Sequence, residues 1–176
     1  NERFEMTDNK SQPLWHGRFS SGPAVELLAF TESLSFDKRL WKDDIAGSLA
    51  HVKGLGHAGI LPLAEVAQIE TALHQVASEF LDGTFQFVDG EEDIHTSIER
   101  RVTQIAGPVG GKVHTGRSRN DQCVTALRLW TKRELAALAE RLIALCEVLT
   151  QRADLAGWGT DGVYLPGYTH VQRAQP

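Results

Sequence analysis

The chain has 176 residues, of which 41% are hydrophobic and 23% are charged, and its formal net charge is −5. This composition is typical of a globular protein with a core of its own, and the acidic balance argues against a nucleic-acid partner. No signal segment opens the sequence and no apolar run is long enough to cross a bilayer, so we expect no membrane partner and a cytoplasmic location.

Three segments repeat apolar residues at helical spacing. They lie at about 45–59, 62–83 and 92–105, and the second begins with Pro62 and ends with Gly83, as helices often do. The residues that we expect to face a core are Ile45, Leu49, Val52, Leu55, Val66, Ile69, Leu73, Val76, Phe80, Ile94, Ile98, Val102 and Ile105. The sequence therefore predicts three amphipathic helices.

A longer helix is predicted after a glycine-rich link at 107–116. No Gly or Pro occurs between Asn120 and Ala156, and at about 1.5 Å per residue such a helix would be roughly 50 Å long. Leucines repeat within it at alternating spacings of three and four, as in helix bundles. They are Leu135, Leu138, Leu142, Leu145 and Leu149. A helix of this length needs packing partners, which we expect in other subunits or in sequence outside this chain.

The predicted fold is all-α, because no segment has a pattern that favours a sheet. We expect a disordered or expression-derived tail at 1–13 and a small helical N-terminal domain at 14–113. Residues 114–176 are predicted to form the first part of a truncated domain, a bundle of long helices.

Neither the cysteines nor the histidines predict a disulfide or a metal site. Cys123 and Cys146 lie on the same predicted helix, too far apart to bridge each other. The seven histidines show no HExxH or paired Cys/His spacing. The string GGK at 110–112 resembles a phosphate loop, but Val113 replaces the Ser or Thr that would hold magnesium and Pro108 removes an N–H. We therefore expect chemistry by polar side chains, without a metal or an organic cofactor.

The most informative motif is HTGRSRNDQ at 114–122. It places Arg117, Ser118, Arg119 and Asn120 at the opening of the long helix, where unpaired backbone N–H groups and the helix dipole favour an anion. Guanidinium groups match carboxylates, so the motif predicts a carboxylate-binding site. The alternative is a capping box, with Ser118 as the N-cap and Asp121 three residues later.

A second motif is PGYTHVQRAQP at 166–176. Its histidine, His170, follows a predicted Pro-Gly turn and lies between hydrogen-bonding side chains. An imidazole that is held in one tautomer can relay or donate a proton near neutral pH. The alternative is an ordinary surface histidine in a loop.

These two strings resemble the argininosuccinate lyase family, which includes the lens protein delta-crystallin, within the fumarase/aspartase superfamily. Two further segments add to the resemblance. One is WHGRF at 15–19, where His16 replaces a glycine of the family's WGGRF, and the other is DIHT at 93–96 followed by ERR at 99–101. The resemblance covers nearly the whole chain from Leu14 onward.

The resemblance implies a fold of the fumarase/aspartase type, a homotetramer, and reversible β-elimination of argininosuccinate to L-arginine and fumarate in arginine biosynthesis, without a cofactor. Removing a proton next to a carboxylate builds a doubly charged aci-form, which fixed donors must stabilise. Ser118, Arg119 and Asn120 at a helix start are suited to that task. The resemblance assigns proton transfer to His170.

Further site residues follow from the resemblance alone. It implies substrate contacts for Ser33, Asp37, Asp93, His95 and Thr169, and supporting positions for Thr115 and Gln172. The alternative for Ser33 and Asp37 is helix capping, and the alternative for Asp93 and His95 is a helix start with an acidic first turn.

The family's third signature, a GSSxMPxKxNP loop that supplies the base, has no match before Pro176. Because each family site is built from three segments of three subunits, we expect this chain to be an N-terminal fragment that is inactive alone. Two alternatives to this enzyme stay open. One is a catalytically silent structural protein like delta-crystallin, and the other is a sister lyase such as adenylosuccinate lyase, fumarase or aspartase.

Overall fold

The computed structural model describes residues 24–155 and the backbone of residues 165–167 and 172–174. Within these residues the fold is helical apart from one short pair of strands. The chain divides into two compact units, Asn1–Trp130 and Thr131–Pro176. The predicted boundary between a domain at 14–113 and a bundle domain at 114–176 stays a prediction.

Six α-helices follow one another along the described chain. They are α1 (Val25–Thr31), α2 (Leu34–Asp37), α3 (Trp41–His57), α4 (Leu63–Leu81), α5 (Ile94–Ala106) and α6 (Arg119–Leu155), with 3₁₀ segments at Lys38–Leu40 and Gly107–His114. The three amphipathic helices and the long helix are confirmed. Helices α1 and α2 are too short to show a periodic repeat, so the sequence pattern does not predict them. The glycine-rich link is mostly a 3₁₀ segment.

The hydrophobic core of the first unit lies among α3, α4 and α5. Most of the residues predicted to face a core are buried there, among them Ile45, Val52, Leu55, Val66, Ile69, Leu73, Val76, Ile94, Ile98 and Val102. Leu49, Phe80 and Ile105 are only partly buried and pack against its edge. Phe80 also stacks between the rings of Trp41 and Phe85, which extends the core with aromatic surface.

Local chemistry fixes both ends of α5. Asp93 is its N-cap, and one carboxylate oxygen accepts the backbone N–H of Thr96 at 2.6 Å. Gly107, with a φ of 65°, ends the helix in a conformation that favours glycine. Three residues later, a Cβ on Gly110 would lie 2.6 Å from the carbonyl oxygen of Val102. Only glycine therefore lets the 3₁₀ segment pack this closely against α5.

The described part of the second unit consists of residues 131–155 of α6 and the strand pair. We call the five leucines Leu135, Leu138, Leu142, Leu145 and Leu149 the leucine stripe. Their side chains are 48% to 60% exposed. Among the residues that the structure describes, no helix is both long enough and apolar enough to span a membrane.

The strand pair is the one departure from the expected absence of a sheet. Strand β1 (Leu165–Gly167) pairs with β2 (Gln172–Ala174) in antiparallel register, with Pro166 opposite Arg173. The predicted Pro-Gly turn is therefore wrong, because both residues lie in β1. Strands of three residues are too short to show an alternating pattern, and proline is tolerated in a strand that lies at an edge.

Candidate active site

A cavity of about 460 Å³ lies within the first unit. Ser33, Asp37 and His95 line it, although α2 and α5 are far apart in the sequence. Its other lining residues are Phe36, Arg39, Leu40, Cys123, Leu127 and Trp130. Largely apolar walls with a few polar groups are typical of small-molecule sites. Three of the predicted substrate contacts therefore share one cavity.

Ser33 and Asp37 are bonded to each other at this cavity. Ser33 occupies the N-cap position of α2, but its hydroxyl donates to Asp37 Oδ2 at 2.7 Å and does not cap the helix. The other oxygen of Asp37 accepts the backbone N–H of Ile94 at 3.1 Å. Burial raises the pKa of Asp37, against the lowering effect of these two hydrogen bonds. The helix-capping alternative is therefore wrong for the Ser33 side chain, whereas Asp37 accepts a backbone N–H at the start of α5.

His95 is the buried cation of the cavity. Its side chain is 1% exposed, and its Nδ1–H donates to Asp44 Oδ1 at 2.8 Å. Burial alone would lower the pKa of the imidazole, but hydrogen bonds with Asp44 and Cys123 outweigh burial and raise the pKa to about 10. His95 is therefore protonated at neutral pH, and a cavity with such a wall suits an anionic ligand.

A chain of hydrogen bonds connects His95 to the start of α6. Asp44 Oδ1 also accepts from Gln122 Nε2 at 2.9 Å, and Gln122 Oε1 accepts from Arg119 Nη1 at 2.5 Å. Arg119 in turn pairs with both carboxylate oxygens of Glu99, at 2.9 and 3.1 Å. Asp44 and Gln122 are buried. We call these five side chains the His95 network, and bonds of this kind reinforce one another in a buried environment.

Both arginines of the predicted carboxylate site are held by protein groups. Arg117 Nη1 donates to Ser48 Oγ at 2.9 Å. Arg119 is bidentate to Glu99, and its Nε lies 3.5 Å from Asp93 Oδ2. The planar donor fork that a substrate carboxylate would need is thus occupied. Substrate binding by Arg119 stays a prediction, whereas its contacts favour a role in holding the network in place.

The capping-box alternative is confirmed at the start of α6. The Ser118 N–H donates to Asp121 Oδ1 at 2.7 Å, and the Ser118 hydroxyl accepts the Asn120 N–H at 3.3 Å. The side chains of Ser118 and Asn120 are exposed, so capping leaves Asn120 accessible to a ligand. Their substrate contacts stay predictions.

Asp93 and Thr115 have local roles in the structure. Asp93 caps the helix start that the alternative predicts, although the first turn of α5 contains no acidic residue. The carbonyl oxygen of Thr115 accepts from His51 Nε2 at 2.9 Å, which joins α3 to the segment before α6. A substrate contact for Asp93 and a supporting role for Thr115 stay predictions.

The other predicted residues cannot be placed beside the cavity. Thr169 and His170 lie outside the described residues, and only the backbone of Gln172 is described, in β2. Their roles also stay predictions. Among the described residues, no group of three or more His, Cys, Asp or Glu side chains could hold a metal ion.

The sequence does not reveal the partners of the predicted residues. Asp44 follows Asp43 near the start of α3, a position where acidic residues commonly favour the helix dipole. Glu99 and Gln122 lie inside strings that carry the family resemblance, but a string does not show which side chains meet. Nothing in the sequence distinguishes Cys123 as a neighbour of His95.

Comparison with known proteins agrees with the resemblance. The profile of a family described as Lyase matches residues 17–176. The chain is 47% identical to an argininosuccinate lyase of Symbiobacterium thermophilum over 93% of its own length, and 43% identical to one of a Roseiflexus species over the same share. It is 46% identical to an argininosuccinate lyase of Maridesulfovibrio salexigens over 97% of its length. The chain spans about a third of the length of these relatives, 34% to 36%.

Proposed function

Because this chain belongs to the lyase family, we propose that it is part of an argininosuccinate lyase and that its cavity takes part in binding argininosuccinate. The reaction is the β-elimination that yields arginine and fumarate. The proposal includes the absence of a cofactor, because acid–base groups and fixed donors suffice for such an elimination.

The observation that carries this proposal is the composition of the cavity. Ser33 and Asp37 of α2 and His95 of α5, which the family resemblance assigns to the substrate, line the same space. A family relationship by itself does not require that these three side chains meet. Their meeting in a space of small-molecule size supports a binding role.

The charges of the cavity suit this substrate. Argininosuccinate carries several carboxylates, and His95 offers a buried cation to one of them. The Ser33 hydroxyl and the Asp37 carboxyl add hydrogen-bonding groups beside it. The apolar side chains of the remaining wall can pack against the carbon atoms of the ligand, and water that the ligand displaces there no longer screens the polar contacts.

The proton-transfer role falls to His170, and the stabilisation of the aci-carboxylate falls to Ser118, Arg119 and Asn120. Donors aimed at the developing charge lower the barrier because they need no reorganisation when the proton leaves. The base itself is assigned by the family resemblance to a loop outside this sequence. This chain therefore supplies binding, orientation and one proton-transfer group.

Assembly and location complete the proposal. The leucine stripe of α6 is exposed in the described chain, and exposed apolar patches commonly mark protein interfaces. We assign this surface to a homotetramer, in which each active site would combine segments of different subunits. The proposed location is the cytoplasm.

A chimaera tests the proposal directly. Residues 17–176 replace the matching third of the Symbiobacterium thermophilum argininosuccinate lyase, and fumarate release is followed by its ultraviolet absorbance. We expect turnover of argininosuccinate and none of adenylosuccinate or aspartate, with the parent enzyme as the positive control. A chimaera that is folded and assembled, by circular dichroism and light scattering, but releases no fumarate would contradict the proposal and favour the silent structural alternative.

A further inference from the structure

Asp44 is a buried carboxylate that does not line the cavity. It lies on α3 and is 1% exposed, and its oxygen Oδ1 accepts hydrogen bonds from both His95 and Gln122. It cannot touch a ligand in the cavity, so any effect on the ligand must pass through a neighbour. His95 is the neighbour that lines the cavity.

The second oxygen of Asp44 gives this carboxylate its unusual character. Oδ2 is buried and has no hydrogen-bond partner among the described residues. Burying a carboxylate that has only some of its hydrogen bonds costs folding free energy. A contribution to stability therefore does not explain why a carboxylate is found at this position. A buried group with this deficit calls for a role other than stability.

The hydrogen bonds of the His95 network converge on Asp44. A guanidinium can only donate, so Gln122 must present its carbonyl oxygen to Arg119 and its NH₂ group to Asp44. Asp44 then has only acceptor oxygens for both neighbours, and the His95 Nδ1 must carry a proton. The Glu99–Arg119 ion pair thereby orients the Gln122 amide, and Asp44 orients the imidazole of His95, which lies one turn before Glu99 on α5.

We propose that Asp44 is a positioning residue that acts through His95, holding the imidazole with its Nδ1–H on the Asp44 side and its opposite edge toward the ligand in the cavity. This inference rests on the proposed function only in naming argininosuccinate as that ligand. The groups that face His95 are Asp44 from α3, Asp37 from α2 and Cys123 from α6. Of these, Asp44 alone combines a direct hydrogen bond with burial away from the ligand.

The first test uses the 176-residue chain and does not depend on enzymatic activity. The ring N–H signals of ¹⁵N-labelled histidines are recorded at neutral pH, and the His95 signal is identified by its loss in His95→Gln. We expect a protonated ring with a downfield Nδ1–H, which Asp44→Asn weakens as the ring becomes neutral. Glu91→Gln is the matched control, because Glu91 is also a buried carboxylate but is bonded to Ser97 and Arg100.

The second test is a double-mutant cycle in the chimaera. Asp44→Asn should lower kcat/KM about 10- to 100-fold, as expected when a binding group is misplaced. In a His95→Gln background the same change should have almost no further effect, because its route to the ligand is already lost. If Asp44 had only a structural role, the effects of Asp44→Asn and His95→Gln on kcat/KM would multiply. Glu91→Gln would then also lower kcat/KM to a similar degree.

The two tests separate the inference from the proposed function. An inactive chimaera would contradict the proposed argininosuccinate lyase function. The His95 spectrum of the chain would still decide the role of Asp44. An unchanged His95 signal in a folded Asp44→Asn chain would overturn the inference. The inference would also be overturned if, in an active chimaera, the effects of Asp44→Asn and His95→Gln on kcat/KM multiplied. If Asp44→Asn fails to fold, Gln122→Leu provides the comparison, because it removes the other donor to Asp44. An unchanged His95 signal in Gln122→Leu would also contradict the role of the network.

Discussion

The two units of this chain use apolar residues in opposite ways. In the first unit, α3, α4 and α5 bury their periodic residues against one another, and the cavity and the His95 network lie beside that core. In the second unit, the leucine stripe has the same helical periodicity but stays about half exposed. The described first unit therefore has a core of its own, whereas for the stripe we propose a partner subunit. Periodicity alone does not distinguish these cases, because it identifies the apolar face of a helix and not what covers it.

The proposed function places proton transfer by His170 in the second unit and substrate binding in the first, and His170→Asn in the chimaera is the change with the largest expected effect. We expect kcat to fall roughly 10²- to 10⁴-fold, the range for losing a positioned proton-transfer group. Substrate affinity should change much less, because the cavity is in the other unit. Exposed His74 on α4 supplies the control, and His74→Asn should leave kcat unchanged. Equal turnover in His170→Asn and the parent chimaera would remove the proposed role of His170.

Leucine-to-alanine changes sharpen the contrast in burial. Leu73 is fully buried in α4, so Leu73→Ala should lower the free energy of unfolding by about 2–5 kcal/mol. Leu142 is 53% exposed, so Leu142→Ala should stay within about 0.5 kcal/mol of the unchanged chain in dilute solution. Chemical denaturation of both variants checks this. Equal losses at the two positions would show that the stripe is already covered within a single chain.

The exposed stripe should control self-association. Light scattering of the 176-residue chain should show oligomers, and the double change Leu138→Gln with Leu145→Gln should shift the mass toward the monomer. Exposed Glu140 lies on the same helix, and Glu140→Ala should leave the mass unchanged. A chain that stays monomeric at every concentration would contradict the proposed interface.

A pH dependence of stability also belongs to the first unit. The pKa of His95 is raised from its ordinary value of 6.5 to about 10. Its contribution to stability is therefore complete below about pH 6.5 and is lost as the pH rises through 10. Between these values the unfolding free energy should fall more steeply in the unchanged chain than in His95→Gln. The difference between the two curves isolates His95, because Lys and Cys titrate in both. Parallel curves would argue against the raised pKa.

Local patterns explain which parts of the fold the sequence predicts. The repeats from Ile45 to Leu55 and from Val66 to Val76 persist for several turns, so α3 and α4 follow from spacing alone. Helix α2 has four residues and leaves no repeat to detect. The strand pair is not predicted for the same reason, because a strand of three residues is too short to show an alternating pattern.

The sequence predicts which side chains of the site have suitable chemistry, but not which of them contact one another. His95 could be recognised from a local string, but its partner Asp44 lies 51 positions earlier, and only packing brings them together. Arg119 shows a second limit of the sequence. Its charge and its position at a helix start predict a free carboxylate ligand, yet Glu99 on α5 supplies a carboxylate from within the protein. Sequence identifies which groups can do chemistry, and tertiary contacts decide which of them are already occupied.

The most direct test of the account is a crystal structure of the His170→Asn chimaera with argininosuccinate, since slow turnover should leave the substrate intact. We predict electron density for the ligand in the cavity, with a substrate carboxylate within hydrogen-bond distance of His95 and the His95–Asp44 bond preserved. Substrate bound elsewhere, with the cavity empty and His95 turned away from it, would contradict the central claim that the first unit positions the substrate.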